Sequence, residues 1–285
     1  MKNIFVFVFI ALSIFARSAH AEVFFQDPTG RSLNEAYDDL TIEGLKSADG
    51  ANEYKYKYML GLLYVKGDDE FGVAKNCDKA VGLLKEAWQA DVVDAGYTLA
   101  TMYYYGVCVS KNLDEVRQLA TETAEEGYIL SQRMLGRAYW GRDWQGLYSK
   151  NMNKAVFWLS KAGEAGDTQS AGNLSYLYRK GVGVVVDEAK SFYWAKKSAC
   201  SKFEPGQIIN FPYLAEYYEK GIGVERDFVE AYKCYDLSGS AGADDKKRIA
   251  KEMTQEQIDE ALRQSNEWQK EHNVQVGGGF IRRAN

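Results

Sequence analysis

Two glycine pairs in the sequence raise the question of phosphate binding. They are Gly181-Val182-Gly183 and Gly221-Ile222-Gly223, and they recur about 40 residues apart. A phosphate-cradling loop needs a strand before it and a helix after it, but residues 171–178, before the first pair, carry apolar side chains at helical spacing. Glycine readily adopts the positive φ that ends a helix, and recurrence at a fixed interval is typical of a repeat protein. We therefore interpret both pairs as turns between helices.

Candidates for catalysis are few. The chain has two histidines, and because His20 lies in the apolar N-terminal stretch, only His272 is left. A Ser-His-Asp triad, a Cys-His pair or a histidine-rich zinc site would all need that residue, so a surface histidine is the better interpretation. The acidic run at 68–70 lacks the alternating oxygen ligands and the glycine of a calcium loop and is typical of a solvated turn. The sequence therefore predicts no catalytic residue, no metal site and no cofactor.

The first 21 residues have the features of a secretory signal peptide. Lys2 supplies a positive start, residues 4–15 are apolar, and small residues lead up to Ala21. Glu22 rather than a cysteine follows, so we expect no lipid anchor, and no later run reaches the ~20 apolar residues of a membrane span. We expect cleavage after Ala21 and a periplasmic protein with no membrane insertion.

The net charge of the chain argues against polyanionic partners. The full chain has a net charge of -5, and loss of Lys2 and Arg17 with the signal peptide makes it more acidic still. An acidic chain without a basic block argues against nucleic acid and against an anionic membrane surface.

The rest of the chain aligns with itself as a helix, a glycine turn and a second helix. The first helices each carry a Leu-small-x-x-Tyr block, beginning at Leu60, Leu99, Leu135, Leu174 and Leu214. The small residue lets two helices approach closely, while Leu and Tyr at i and i+4 share one face. The second helices have anchor residues at the period of a helical hairpin: Ala80, Val116, Ala155, Ser191 and Ala231.

This pattern resembles the Sel-1-like repeat, a relative of the tetratricopeptide repeat. The fifth unit matches most fully, at Tyr218, Gly221, Gly223, Val224, Asp227, Ala231 and Gly242. The second unit departs most, with Cys108 in the place of the second glycine, and the third has an irregular turn at 139–151. The resemblance implies an all-α fold, a right-handed α-solenoid of about five helical hairpins with a capping helix at each end.

The expected organisation has five parts. Residues 1–21 form the signal peptide, 22–52 an N-terminal segment with a capping helix at 39–50, and 53–243 the repeats. Residues 244–270 form the C-terminal capping helix, in which Thr254 and Gln257 have the spacing of a capping box. Residues 271–285 are expected to be a flexible tail.

Four cysteines permit three pairings in an oxidising compartment. In a stack of helical hairpins, Cys77 at the start of one second helix and Cys108 after the next first helix lie on the same edge. We therefore expect a disulfide between them. Cys200 ends one second helix and Cys234 lies near the start of the next, too far apart to bond, so both are expected to be buried free thiols.

The resemblance also indicates where a partner would bind, because first helices line the concave face of tetratricopeptide-like stacks. Aromatic and arginine side chains, the residues enriched at protein-binding hot spots, are frequent between the core positions of these helices. The candidate partner-binding residues are Tyr58, Leu62, Tyr97, Thr101, Tyr104, Tyr105, Arg133, Arg137, Trp140, Tyr176, Arg179, Glu216 and Glu219. Among them, Tyr104, Arg137 and Trp140 are expected to form a central patch whose truncation changes binding more than stability.

Three functions remain open. The first is a non-enzymatic protein binder; small exported Sel-1-like proteins without a lipid anchor resemble the periplasmic immunity proteins that neutralise type VI phospholipase toxins, so a lipase-like toxin is one candidate partner. The second is a cell-envelope scaffold or regulatory adaptor. The third is a β-lactam-binding enzyme like the cysteine-rich members of the family, but those carry a cysteine pair in each repeat and this chain does not. Nothing in the sequence decides the oligomeric state.

Overall fold

The computed structural model describes residues 21–41, 44, 53–201, 203, 210–277 and 280–283. Apart from Ala21, the predicted signal peptide lies outside these residues. So does most of the capping helix expected at 39–50.

Helical hairpins make up most of the described chain. A short helix α1 (Arg31–Asp38) precedes them. The five hairpins are α2 (Glu53–Lys66) with α3 (Cys77–Gln89), α4 (Val93–Tyr105) with α5 (Leu113–Glu125), α6 (Ile129–Trp140) with α7 (Met152–Glu164), α8 (Thr168–Lys180) with α9 (Glu188–Ala199), and α10 (Phe211–Lys220) with α11 (Phe228–Leu237). The expected all-α solenoid of five repeats is confirmed.

The same local chemistry starts every second helix. An Asn or Asp in extended conformation precedes the helix, and its side-chain oxygen accepts a backbone N–H of the first turn, which satisfies a donor that would otherwise have no partner. These caps are Asn76, Asn112, Asn151, Asp187 and Asp227. At the other end of the hairpin, Gly181 and Gly221 have positive φ and end α8 and α10, as expected for turns. The glycine pairs therefore allow the chain to reverse direction between the two helices of a hairpin.

The small residue of the repeat block sits at the closest approach of the two helices in a hairpin. A Cβ added to Gly136 of α6 would lie 2.6 Å from Cγ of Leu159 in α7, and one added to Gly61 would lie 3.0 Å from Cγ of Leu84. Leu84 and Leu159 are themselves fully buried. A larger side chain at these positions would push the hairpin apart.

The C-terminal region caps the stack and corrects one expectation. Helix α12 (Ala243–Ile249) and helix α13 (Gln255–Glu271) follow the last hairpin, and the predicted capping box at Thr254 and Gln257 opens α13. In place of a flexible tail, β1 (Val274–Gly277) and β2 (Phe280–Arg283) pair as an antiparallel hairpin. Val274 is buried, and the N–H of Val276 donates to Oε1 of Gln269 at 2.7 Å, so β1 is tied to α13.

The cysteines pair as predicted. Cys77 at the start of α3 is bonded to Cys108, which follows α4, and the two Cα atoms are 4.9 Å apart. Cys200 and Cys234 are free, as expected. Cys234 is buried, but Cys200 is exposed because it ends α9 at the surface, so the expectation of burial was wrong for that thiol.

We expect the Cys77–Cys108 bond to contribute to stability, because it closes a loop with a sequence separation of 31 residues. On the chain-entropy model such a loop is worth about 3–4 kcal/mol. Changing both residues to serine should lower the free energy of unfolding, measured by urea titration, by about that amount. Cys200→Ser, at an exposed free thiol, is the matched control. Equal stability of the double variant and wild type would show that the bond constrains nothing.

Candidate partner-binding surface

The first helices form a surface that we call the inner face, and cavities lie between its neighbouring helices. One cavity is lined by α2 and α4, a second by α6 and α8, and a third by α8 and α10. The residue two places after each block leucine lies on this face, which gives a row along the stack: Leu62, Thr101, Arg137, Tyr176 and Glu216. The first two residues of this row, in the first two repeats, have different surroundings from the last three.

The chain itself covers the half formed by the first two repeats. We call residues 22–41 the arm. The arm runs over α2 and α4, and near its end the side chain of Leu40 is buried. Phe25 is buried, and its ring lies 6.0 Å from the ring of Tyr58. Further along, Pro28 and Thr29 line the cavity between α6 and α8. The arm was not foreseen as part of the binding face, because it carries no repeat pattern.

A buried carboxylate holds the start of the arm. Asp94, in the first turn of α4, is fully buried, and its Oδ2 and Oδ1 accept the backbone N–H groups of Phe24 and Phe25 at 2.9 and 3.0 Å. Glu22 adds a parallel β-bridge: its N–H donates to the carbonyl of Asp91 and its carbonyl accepts from Val93, both at 3.0 Å. Burial raises the pKa of Asp94, and the two arm N–H groups oppose that rise.

Within the described residues, the half formed by the last three repeats is open. Two cavities of about 540 Å³ each adjoin there and share Gly172, Ser198 and Asn210 in their walls. We call this combined cavity the trough. Its exposed aromatic side chains are Tyr176 of α8 and Tyr213 of α10, which are 45% and 63% exposed.

Ion pairs line the trough and leave donors available. Arg133 Nη1 pairs with Oδ2 of buried Asp167 at 2.8 Å, and Nε of Arg137 pairs with Asp143. No other nitrogen of the two guanidinium groups has a partner within the described residues, and Nδ2 of Asn173, a buried donor in the trough wall, has none either. Such groups can donate to a partner's carbonyl or carboxylate oxygens.

A third ion pair links α8 and α10 of neighbouring repeats. Nη2 and Nη1 of Arg179 donate to the two oxygens of Glu216 at 2.9 and 3.3 Å, and Lys220 Nζ lies 2.8 Å from Glu216 Oε1. The hydrogen bonds from Arg179 lower the pKa of Glu216 to about 2. Glu216 is therefore ionised and neutralised within the face, which leaves an excess of positive charge there.

The structure removes three predicted residues from the candidate surface. Tyr58 is 4% exposed because Phe25 covers it, and Trp140 is 7% exposed within an apolar cluster between α7 and α8. Glu219 pairs with Arg248 of α12 and accepts a hydrogen bond from Tyr235 at 2.8 Å, so it fastens the C-terminal cap. Because Trp140 is buried, the expected central patch of Tyr104, Arg137 and Trp140 does not exist as one surface.

The remaining predicted residues have three locations. Leu62, Thr101 and Tyr105 line the cavity beside α1. The ring of Tyr97 lies 5.3 Å from that of Tyr128, and Tyr104 packs against Trp144 at 4.5 Å on the edge of the stack. Arg133, Arg137, Tyr176, Arg179 and Glu216 line the trough. Sequence reasoning missed Asn173 and Tyr213, although both directly precede a block leucine and so share the register of the inner face.

Comparison with known proteins gives the family. The Sel1 repeat matches residues 56–90, 94–128, 129–167, 168–202 and 213–242. The chain therefore belongs to the Sel1 repeat family, whose solenoids typically serve protein–protein interaction.

Similar proteins differ in length and setting. The chitin synthase regulator SKT5 of Saccharomyces cerevisiae is 27% identical over 222 residues, which are 74% of this chain and 30% of that protein. The protective antigen c5321 of uropathogenic Escherichia coli is 25% identical over 83% of this chain and 56% of its own, with a TM-score of 0.61. A Sel1 repeat protein of Oxalobacter formigenes is 20% identical over 84% of this chain and 96% of its own, with a TM-score of 0.60. The chain thus spans about 30% of the curated relative and about half of the antigen.

None of the helices within the described ranges combines the length and the apolar character that crossing a bilayer requires.

We expect Trp140 and Tyr176 to behave oppositely when truncated, although both were predicted on the inner face. Trp140→Ala opens a cavity in the cluster between α7 and α8 and should cost about 3–5 kcal/mol of unfolding free energy. Tyr176→Ala removes a side chain that is 45% exposed and should cost less than about 1 kcal/mol. Thermal melting and urea titration of both variants measure the difference. Similar losses would contradict the placement of Trp140 in the core.

Acid should weaken the link between Arg179 and Glu216. The folded-state pKa of Glu216 lies near 2, below its ordinary value of 4.5, so its ionised form stabilises the fold above pH 4.5 and that contribution is lost as pH falls toward 2. The stability difference between wild type and Glu216→Gln should therefore be largest near neutral pH and shrink below pH 4.5. Glu225→Gln, at an exposed turn residue, controls for the loss of one carboxylate. A difference independent of pH would refute the pairing.

Proposed function

We propose that the protein is a non-enzymatic binding module, exported to the periplasm after cleavage behind Ala21, that grips a protein partner in the trough of its last three repeats. The open trough carries this proposal. It combines exposed tyrosines, arginines with available N–H groups and the unpartnered amide of Asn173. The disulfide between Cys77 and Cys108 fits an oxidising compartment.

The chemistry of the trough favours an acidic partner segment. The trough is lined by Arg133, Arg137, Arg179 and Lys180 and by the acidic residues Asp167 and Glu216, and Asp143 pairs with Arg137 beside it. Basic side chains therefore outnumber acidic ones there, whereas the chain as a whole has a net charge of -5. An arginine fork binds carboxylate oxygens in pairs, and tyrosine rings bury a large area with little loss of side-chain entropy. A partner that presents Asp or Glu beside apolar side chains would match both.

Within this function we propose immunity as the specific role: the protein neutralises a secreted, phospholipase-type toxin by occupying it. The support is the resemblance to exported immunity proteins together with a trough whose charge is opposite to that of the chain around it. A regulatory adaptor is the second candidate, favoured by the 27% identity to a chitin synthase regulator. The partner separates them, because an adaptor would recruit an envelope enzyme and leave its activity intact or raised.

Truncating the trough should weaken partner binding without unfolding the chain. Tyr176→Ala, Arg137→Ala and Asn173→Ala should each raise the Kd by a factor that corresponds to about 1–4 kcal/mol, the range of interface hot spots. Affinity capture from periplasmic extract with the wild-type protein identifies the partner by mass spectrometry, and calorimetry with that partner then gives each Kd. For an immunity protein, cells that express the same variants should lose protection from the toxin.

The chain offers a matched control. Tyr193 in the second helix α9 is 44% exposed, against 45% for Tyr176, but it lies outside the trough. Tyr193→Ala should bind and protect like wild type. If the three trough variants stay folded and bind as tightly as this control, the trough is not the binding site.

A further inference from the structure

We propose that the inner face of the first two repeats is a second peptide-recognition site, which the arm occupies within the chain and from which a partner segment of the same chemistry displaces it. The inference rests on the proposed binding function and extends it to a different surface. It starts from the way the arm is held.

The contacts of the arm define what the site recognises. The backbone bends at Phe24 and so presents two consecutive N–H groups to Asp94 at 2.9 and 3.0 Å, and the residues that carry them are both aromatic. Phe25 enters the pocket beside Tyr58, and Lys55 Nζ lies 5.6 Å from the centre of the Phe25 ring. The fitting occupant is therefore a segment whose backbone bends at two adjacent aromatic residues. Its main chain supplies the donors and its rings supply the specificity, as in other modes of peptide capture.

Asp94 holds the arm through its main chain. A fully buried carboxylate is costly unless hydrogen bonds satisfy it. Its partners outside α4 are the two arm N–H groups and the hydroxyl of Tyr128. Any segment that replaces the arm must supply the same two donors, because the carboxylate would otherwise stay buried without them.

A cleft beside the rest of the arm leaves its contact with the repeats incomplete. A cleft of about 760 Å³ separates α1 from α2 and α4, with Leu33 and Tyr37 on one wall and Leu62 and Thr101 on the other. The hydroxyl of Ser32, on α1, is buried without a hydrogen-bond partner. A buried hydroxyl without a partner lowers the stability of the segment that carries it, so it weakens the attachment of the arm.

Native-state hydrogen exchange on the full mature chain tests whether the arm opens by itself. We expect the amides of residues 22–41 to exchange at least tenfold faster than those of α6 to α10. Asp94→Asn, which keeps the size of the side chain but accepts only one of the two N–H groups, should accelerate exchange in the arm further and leave α6 to α10 unchanged. Asp78→Asn, at an exposed acid in the first turn of α3, is the control. If Asp94→Asn accelerates exchange throughout the chain, the arm is an integral part of the fold and the proposal fails.

A synthetic fluorescent peptide of residues 22–41 tests recognition by the vacated site. The full chain with Phe24→Glu and Phe25→Glu should bind it at least tenfold more tightly than wild type, whose own arm competes at a high effective concentration. Adding Asp94→Ala should abolish that binding. Absence of binding to the folded double variant, or equal binding to wild type, would overturn the proposal. If the wild-type chain forms dimers and Asp94→Ala abolishes them, the occupant of the site is a second copy of the chain, and the proposal of a partner segment is wrong. These assays use no captured partner and no trough variant, so they can fail while the proposed function stands.

Discussion

The close approach of the two helices in each hairpin is the constraint on which the rest of the structure depends. Gly61 and Gly136 leave so little room that an added Cβ would meet Leu84 or Leu159. The block leucine and tyrosine then turn toward the hairpin core, and the residue two places after the leucine must face the other way, onto the inner face. That register places Tyr176 and Glu216 on neighbouring helices, where Arg179 can link the two repeats.

Local signals made the repeats and the disulfide predictable. Helix caps such as Asn112 and Asp187, the glycine turns and the Leu-small-x-x-Tyr block all act within a few residues of chain, and the pairing of Cys77 with Cys108 follows once hairpins stack in order. The buried state of Trp140 was not predictable from the repeat pattern, because the irregular turn after it departs from that pattern. The arm was missed for the same reason: Asp94 meets Phe24 about 70 residues away, and no periodicity marks such a contact.

The two halves of the inner face differ in what covers them. Over the first two repeats the face carries the chain's own segment, held at Asp94. Over the last three repeats it is open within the described residues and is lined by more basic than acidic side chains. Pro28 and Thr29 of the arm reach the wall of the trough, so the occupied half borders the open half.

Site-specific photo-crosslinking in the periplasm tests the central claim, that a protein partner lies in the trough, most directly. A photoreactive residue at Tyr176 or Tyr213, both exposed on the inner face, should crosslink to one partner protein, whereas the same residue at Phe157 or Tyr193, exposed on second helices, should not. Crosslinks at the second-helix positions, with none in the trough, would contradict the account.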